Sequence, residues 1–139
     1  MTKDEYLATA GLDYRCRFTS FCGIDLEEVT DDGTCVFSSM LTDDQKNPFG
    51  IAHGGMISTM MDVCAGTIAL LHDVTGRTRL FVTQTADIHY LRPISDGRMI
   101  GVGSLIHAGR KTALARTDVF DKDNKLCATA TYTLFYTEE

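Results

Sequence analysis

The feature that most constrains the fold is one long apolar segment, residues 54–72. Read as a helix, the segment places apolar side chains on nearly every side, and a helix that is apolar all round is a buried helix. Asp62 is the only charge in the segment. The rest of the chain must therefore supply a surface that surrounds this helix. The apolar residues are Met56, Ile57, Met60, Met61, Val63, Cys64, Ala65, Ile68, Ala69, Leu70 and Leu71.

Most of the remaining chain is typical of strands. Apolar and polar residues alternate in several stretches, and short polar turns containing Gly, Asp or Asn separate them. Short turns make neighbouring strands antiparallel. We therefore predict an α+β fold in which a curved antiparallel sheet of about six strands wraps round the central helix. The predicted strands cover residues 24–30, 34–41, 79–91, 98–107, 111–120 and 126–136.

Length and composition narrow the classes of protein. The 139 residues predict a single domain over 1–139, with a helical segment in 1–14 whose helix covers residues 3–10. The balance of 13 basic and 19 acidic residues argues against nucleic-acid binding. The longest uncharged run has 15 residues, too few to span a membrane, and the acidic N-terminus is unlike a signal peptide. Five cysteines without a disulfide or metal spacing indicate reduced thiols and a cytoplasmic protein, with no metal site.

The stretch from Asn47 to Gly55 precedes the helix and contains His53, Gly54 and Gly55. The start of a helix carries free backbone N–H groups and the positive end of the helix dipole. Two glycines there let another molecule approach the backbone, which suits an oxyanion site. The simpler interpretation is that the glycines only make a tight entry to a crowded helix, with His53 as a structural hydrogen-bonding residue.

Asp62 also has two interpretations. A buried carboxylate is costly unless it is paired or functional, which favours a general base. Alternatively, the helix has one hydrated stripe and Asp62 lies on it. Asp62 follows Gly54 by eight residues, about 12 Å along the axis. A base acts within about 3 Å of the reacting atom, so a site that uses both residues must join Gly54 of one chain to Asp62 of another. A two-fold dimer would hold two such sites.

These residues resemble those of a known family. The pattern Asn47-x5-His53-Gly54-Gly55-x6-Asp62, the strand end His89-Tyr90-Leu91-Arg92-Pro93 and the turn Gly109-Arg110-Lys111 are similar to the hotdog-fold acyl-CoA thioesterases, and most to their phenylacetate-degradation (PaaI-like) branch. The resemblance covers roughly residues 24–136. It implies that the chain hydrolyses acyl-CoA, with coenzyme A as part of the substrate and no further cofactor.

The resemblance also assigns roles to residues. The Gly54 amide and the Asn47 side chain would hold the thioester carbonyl, and His53 would shape the loop. Asp62 of the other subunit would be a base toward water or a nucleophile, with Thr83 orienting the water. Strict alternation puts Leu80, Val82, Ala86 and Ile88 on one face of their strand and Thr83 on the other. Thr83 therefore needs a bulge or a sheet-edge site to reach Asp62. The family dimerises by joining sheets edge to edge, so we expect a homodimer at least and a homotetramer from two dimers.

The remaining candidates concern substrate binding. Arg92, Arg110 and Lys111 are cations at strand ends and turns that suit the phosphates of coenzyme A, although each also fits an ordinary solvated face. Phe49 and its apolar neighbours Ile51, Met56, Met60 and Met61 are candidates for an acyl pocket or for plain core. Cys64 is interpreted as core packing rather than as a nucleophile.

Two rival functions remain at this level. One is a hotdog hydratase or dehydratase that uses His53 with Asp62, and the other is a non-catalytic module that binds acyl-CoA. The sequence leaves the acyl group open among aromatic, short-chain and medium-chain thioesters.

Overall fold

Six antiparallel strands form a single sheet over one long helix in the structure, a computed structural model that describes residues 1–9 and 11–138. The order across the sheet is β1-β2-β4-β5-β6-β3. The strands are β1 (Asp25–Val29), β2 (Cys35–Met40), β3 (Phe81–Tyr90), β4 (Arg98–Ala108), β5 (Thr112–Phe120) and β6 (Leu126–Tyr136). The helices are α1 (Lys3–Leu7), α2 (Arg17–Phe21) and α3 (Gly54–Leu71), with a 3-10 turn at Asp43–Gln45. The predicted hotdog arrangement is confirmed.

Helix α3 lies in the concave side of the sheet and contacts five of the six strands. Glycines on β4 permit this close packing: a Cβ on Gly101 would lie 2.8 Å from Cγ of Met60, and one on Gly103 would lie 3.0 Å from the carbonyl oxygen of Cys64. Cys64 on α3 is fully buried, so its predicted role in the core is confirmed.

By length and composition α3 passes as a membrane span, contrary to the expectation that no segment would. Most of the helix is buried inside the fold, and this burial accounts for its apolar surface.

The N-terminal part of the chain departs from the prediction. Within the described residues of 1–14 the helix is limited to Lys3–Leu7, shorter than the predicted 3–10, and Ala10 lies outside the described residues. Helix α2 was not predicted. Its five residues are too few to show a helical period, and its N-cap residue is Cys16, which is not a usual capping type.

A bulge in β3 corrects the predicted faces of that strand. The register against β6 shifts between Thr83 and Thr85, so Thr83 pairs with Leu134 while Ala86 pairs with Tyr132. Both partners are buried under the helix, and Thr83 and Ala86 therefore share the helix-facing side.

Leu80 and Val82 were predicted to share the face of Ala86 and Ile88, and this is wrong. Both are about half exposed, because the extra residue of the bulge reverses the alternation before it.

Candidate active site

The loop before α3 presents the start of the helix to solvent. His53 is the N-cap, and its Nδ1 accepts a hydrogen bond from the backbone N–H of Gly55 at 2.9 Å. The backbone N–H of His53 donates to the carbonyl of Gln45 at 2.8 Å, which fixes the loop. Within the described chain the N–H of Gly54 donates to no other group. It is the free donor that an oxyanion site requires.

Asn47 is held with its amide oriented. Its Oδ1 accepts the backbone N–H of Phe49 at 2.9 Å and that of Ile51 at 3.4 Å. Only the oxygen of an amide group accepts hydrogen bonds, so these two bonds fix which side-chain atom is Oδ1 and which is Nδ2. In the described part of the chain this Nδ2 donates no hydrogen bond, so Asn47 offers a second N–H donor.

Tyr90, the last residue of β3, contacts this loop region, and sequence reasoning did not single it out by itself. Its hydroxyl donates to the carbonyl of Gly54 at 3.1 Å, and its ring would lie 3.5 to 3.6 Å from a Cβ added to Gly54. The Tyr-Leu-Arg-Pro strand end was the available signal, but nothing in it showed that the tyrosine side chain contacts the start of the helix.

Asp62 and Thr83 are brought together. The Thr83 hydroxyl donates to Oδ1 of Asp62 at 2.6 Å, because the β3 bulge turns Thr83 toward the helix. Asp62 is exposed in the single chain, so the hydrated stripe is the correct description of its position. Along that stripe the hydroxyls of Ser58 and Thr59 both donate to the carbonyl of Gly55.

Tyr132 lies beneath the pair formed by Asp62 and Thr83. Its hydroxyl donates to the carbonyl of Ser58 at 3.3 Å. Burial, and then the negative charge of Asp62, raise the pKa of Tyr132, so this hydroxyl stays protonated and serves as a neutral donor.

The two halves of the predicted constellation lie in different clefts. Asn47 and Gly54 line a cleft of about 330 Å³, together with Tyr90 and Arg92. Asp62 and Thr83 line a separate, larger cleft of about 610 Å³. The separation expected from the spacing of Gly54 and Asp62 is therefore present in the single chain.

The other residues predicted to bind substrate are either exposed or part of the core. Phe49 is 86% exposed and lines neither cleft, so within one chain it forms no part of a pocket. Met60 and Met61 are fully buried core residues. Arg110 and Lys111 are exposed in the β4–β5 turn and also line neither cleft. Among the described residues no group of three His, Cys, Asp or Glu side chains is arranged to hold a metal ion.

Comparison with known proteins places this geometry in context. The model of a family described as the thioesterase superfamily matches residues 49–128. The chain is 30% identical over 136 residues to the medium/long-chain acyl-CoA thioesterase YigI of Salmonella typhimurium, across 86% of this chain and 85% of that protein.

Solved structures agree with the fold. The conserved protein PA5202 of Pseudomonas aeruginosa superimposes with a TM-score of 0.81 at 26% identity, across 91% of this chain and 98% of that one. The PaaI protein of E. coli, from the phenylacetic acid degradation operon, gives a TM-score of 0.80 at 18% identity, across 89% and 86% of the two chains.

Proposed function

Because the chain belongs to the thioesterase superfamily, as its motif predicted, and is therefore a hydrolase, we propose that it hydrolyses acyl-CoA thioesters to a free carboxylic acid and coenzyme A. The observation that carries this proposal is the pairing of Asp62 with Thr83 in one cleft and of Gly54 with Asn47 in another. One pair supplies a carboxylate near a hydroxyl, and the other supplies two N–H donors.

The donors act on the carbonyl. In the proposed reaction the Gly54 N–H and the Asn47 Nδ2 hold the thioester oxygen, which becomes negative as the carbonyl carbon is attacked. The N-terminal end of an 18-residue helix adds a favourable field at that point. Gly55 keeps the backbone accessible, and His53 caps the helix rather than taking part in proton transfer.

Asp62 acts either as the base or as the nucleophile in the attack on the carbonyl carbon. As a general base it takes a proton from water, whose oxygen bonds to the carbonyl carbon, and the C–S bond then breaks. The departing coenzyme A thiolate takes up the proton. As a nucleophile, Asp62 would instead bond to the carbonyl carbon while the C–S bond breaks and the coenzyme A thiolate leaves, and water would then hydrolyse the resulting anhydride to the free acid and restore the carboxylate. In both routes the Thr83 hydroxyl orients the carboxylate or the water, and coenzyme A enters only as part of the substrate.

We propose that each site combines two chains. Strand β3 ends the sheet and exposes eight of its ten residues, although it carries the catalytic Thr83. An uncovered edge of this length is a template for pairing with another strand. Joining β3 to the β3 of a second copy gives a two-fold homodimer, in which Asp62 of one chain faces Gly54 of the other. Two such dimers would form the proposed homotetramer.

The cations are assigned to the coenzyme A phosphates. Arg92 lines the cleft that holds Gly54 and is itself exposed, so among the candidate cations it is the one that lines the proposed carbonyl site. Arg110 and Lys111 are free to bind phosphate from their turn. All five cysteines are free thiols, which fits the reducing cytoplasm as the proposed location.

The test is release of free thiol from a panel of aliphatic and aromatic acyl-CoAs. We expect Asp62→Asn to lower turnover at least about a hundredfold, about 2.7 kcal/mol of barrier. Asp123→Asn is the matched control, because Asp123 is exposed in the β5–β6 turn and lines neither cleft.

Each rival function has its own outcome. A hydratase changes the acyl group without releasing thiol, and a binding module binds acyl-CoA without turnover, with binding undiminished in Asp62→Asn. Turnover that survives Asp62→Asn removes this residue from the chemistry.

A further inference from the structure

The larger cleft has a wall that the matched family region does not include. The family match begins at residue 49, yet one side of the cleft is made by the N-terminal segment. We call residues 12–19 the N-terminal wall. The opposite side carries Asp62 and Thr83, with Val63 and Phe81 beside them. The wall residues that line the cleft are Leu12, Asp13, Tyr14, Cys16, Phe18 and Thr19.

The wall is firmly attached to the central helix. Tyr6 is 1% exposed, and its hydroxyl shares a 2.9 Å hydrogen bond with the Thr67 hydroxyl on α3. The same oxygen accepts the backbone N–H of Tyr14 at 2.8 Å. The Thr19 hydroxyl donates to the carbonyl of Tyr14 at 2.9 Å. These bonds connect Tyr14, and through it Thr19, to Thr67 on α3, so the position of this part of the wall relative to Asp62 is defined.

The cleft continues beyond Asp62 as an apolar channel. Its lining along α3 runs on from Asp62 through Val63 and Gly66 to Thr67, five residues further and about 7 Å along the axis. The Phe81 ring packs on Gly66, where an added Cβ would lie 3.0 Å from it. A group attached to a carbonyl beside Asp62 has this channel open to it.

The polar atoms around the channel already have partners. The Asp13 carboxylate is 5% exposed and is bound by the Arg15 guanidinium at 2.9 Å. The hydroxyls of Tyr6, Thr19 and Thr67 are each hydrogen-bonded within the fold. The Tyr14 hydroxyl accepts the backbone N–H of Leu26 at 3.1 Å. With most of these donors and acceptors already paired, few are left for the substituents of a hydroxylated ring, which favours an unsubstituted hydrocarbon group as occupant.

We propose that the N-terminal wall is the chain-length determinant of this enzyme: it holds the distal part of an unbranched aliphatic acyl chain whose thioester lies at Asp62. This inference rests on the proposed thioesterase function and deepens it. Phe18 is the residue that tests it, because it lines the cleft and yet is 58% exposed, so its removal leaves the core intact.

The experiment compares kcat/KM for butanoyl-, octanoyl- and dodecanoyl-CoA. In the wild type we expect kcat/KM to rise by up to about fourfold per added methylene until the chain reaches the wall. Phe18→Ala should lower the ratio of the dodecanoyl to the butanoyl value about tenfold, since it removes part of an aromatic contact.

Phe21→Ala is the matched control, because Phe21 is on the same helix, is 79% exposed and does not line the cleft. We expect it to keep the wild-type ratio. Equal ratios in Phe18→Ala and Phe21→Ala would overturn the inference while leaving the thioesterase function in place. A wild-type preference for an aromatic thioester over dodecanoyl-CoA would overturn it as well.

A binding measurement separates the inference from the proposed function. The non-hydrolysable thioethers S-butyl- and S-dodecyl-CoA report the affinity for the chain without turnover. Phe18→Ala should weaken S-dodecyl-CoA about tenfold more than S-butyl-CoA, and Phe21→Ala should not. If no acyl-CoA is hydrolysed, the proposed function fails, and this ratio of Kd values still decides whether the wall binds the chain.

Discussion

The hydroxyl of Thr83 donates a hydrogen bond to Asp62, whereas the methyl group of the same side chain only fills space. A hydrogen bond to a charged group contributes about 1.5–3 kcal/mol. We therefore expect Thr83→Val, which keeps the shape and loses the donor, to lower kcat about ten- to a hundredfold. Thr83→Ser keeps the donor and should stay within a few fold of the wild type. Steady-state kinetics of the two variants checks this, and equal rates would exclude the hydroxyl from the reaction.

Asn47 offers a similar separation of two roles. Its oxygen holds the loop by accepting the N–H groups of Phe49 and Ile51, and its nitrogen is the proposed donor to the thioester. Asn47→Asp keeps acceptor oxygens for the loop and removes the donor. We expect kcat to fall about a hundredfold or more with the thermal unfolding midpoint nearly unchanged. A loss of stability equal to that of Asn47→Ala would instead assign Asn47 to loop structure alone.

The buried pair Asp73–Arg79 joins the end of α3 to β6 and to the β4–β5 turn. The Arg79 guanidinium binds the Asp73 carboxylate at 2.9 Å, lies 4.0 Å above the Tyr136 ring and donates to the carbonyl of Arg110 at 2.7 Å. It therefore also supports the turn proposed to bind phosphate. Burial alone would raise the pKa of Asp73, but hydrogen bonds from Arg79 and Thr75 outweigh burial and hold that pKa at about 2.

This shift predicts a pH dependence of stability. The folded-state pKa of Asp73 lies below its ordinary value of 3.8, so the stabilisation is fully present above about pH 4 and is lost as the pH falls toward 2. Its size is about 2 kcal/mol. Urea unfolding between pH 6 and pH 3 should show about half of this loss in the wild type. Asp73→Asn should be less stable at pH 6 and show a smaller change with pH, and an identical pH slope would contradict the assignment.

Strands and helices differed in how far local pattern predicted them. The predicted helix over 54–72 and all six strands lie within two residues of the observed elements, because the helix is one long apolar run and the strands carry a period of two bounded by turn residues. Helix α2 has no such period, and its position depends on the contacts of Thr19 and Tyr14. The faces of β3 were assigned by strict alternation, which fails at the bulge. The requirement that Thr83 reach Asp62 had nevertheless indicated either a bulge or a site at the sheet edge, and the structure has the bulge.

The site itself was predictable as residue types but not as neighbours. Gly54 and Asp62 stood out because glycines at a helix start and a carboxylate within an apolar helix are unusual, whereas Asn47 was indicated only by the resemblance to a known family. The contact of Tyr90 with Gly54, and the wall around Phe18, join residues far apart in the chain. Such contacts depend on tertiary packing, which cannot be derived from the spacing of residues along the sequence.

For the whole molecule, the exposed edge of β3 is the proposed contact between chains. Val82 on β3 and Leu80 just before it are each about half exposed, and the length of this strand would invite uncontrolled pairing if it stayed open. We expect sedimentation to show dimers or tetramers and no stable monomer. Replacing Val82 with lysine places a charge on this edge and should shift the distribution toward monomer with loss of activity. An unchanged assembly would indicate that another surface joins the chains.

Mixing two inactive variants tests whether each site takes residues from two chains. Asp62→Asn keeps Asn47, and Asn47→Asp keeps Asp62, so a mixed dimer contains one site with both native residues and one with neither. Random exchange of equal amounts makes half of the dimers mixed, each with one working site of two. We therefore expect about a quarter of wild-type activity to return.

Sites built within one chain would regain nothing, because every chain would still lack one residue. The measurement is thiol release before and after the two proteins are unfolded together and refolded. Each variant refolded alone is the control, since it forms no complete site under either arrangement. Recovery in the mixture alone would follow from the spacing of Gly54 and Asp62 on one helix, which is too long for both to act on one carbonyl within a single chain.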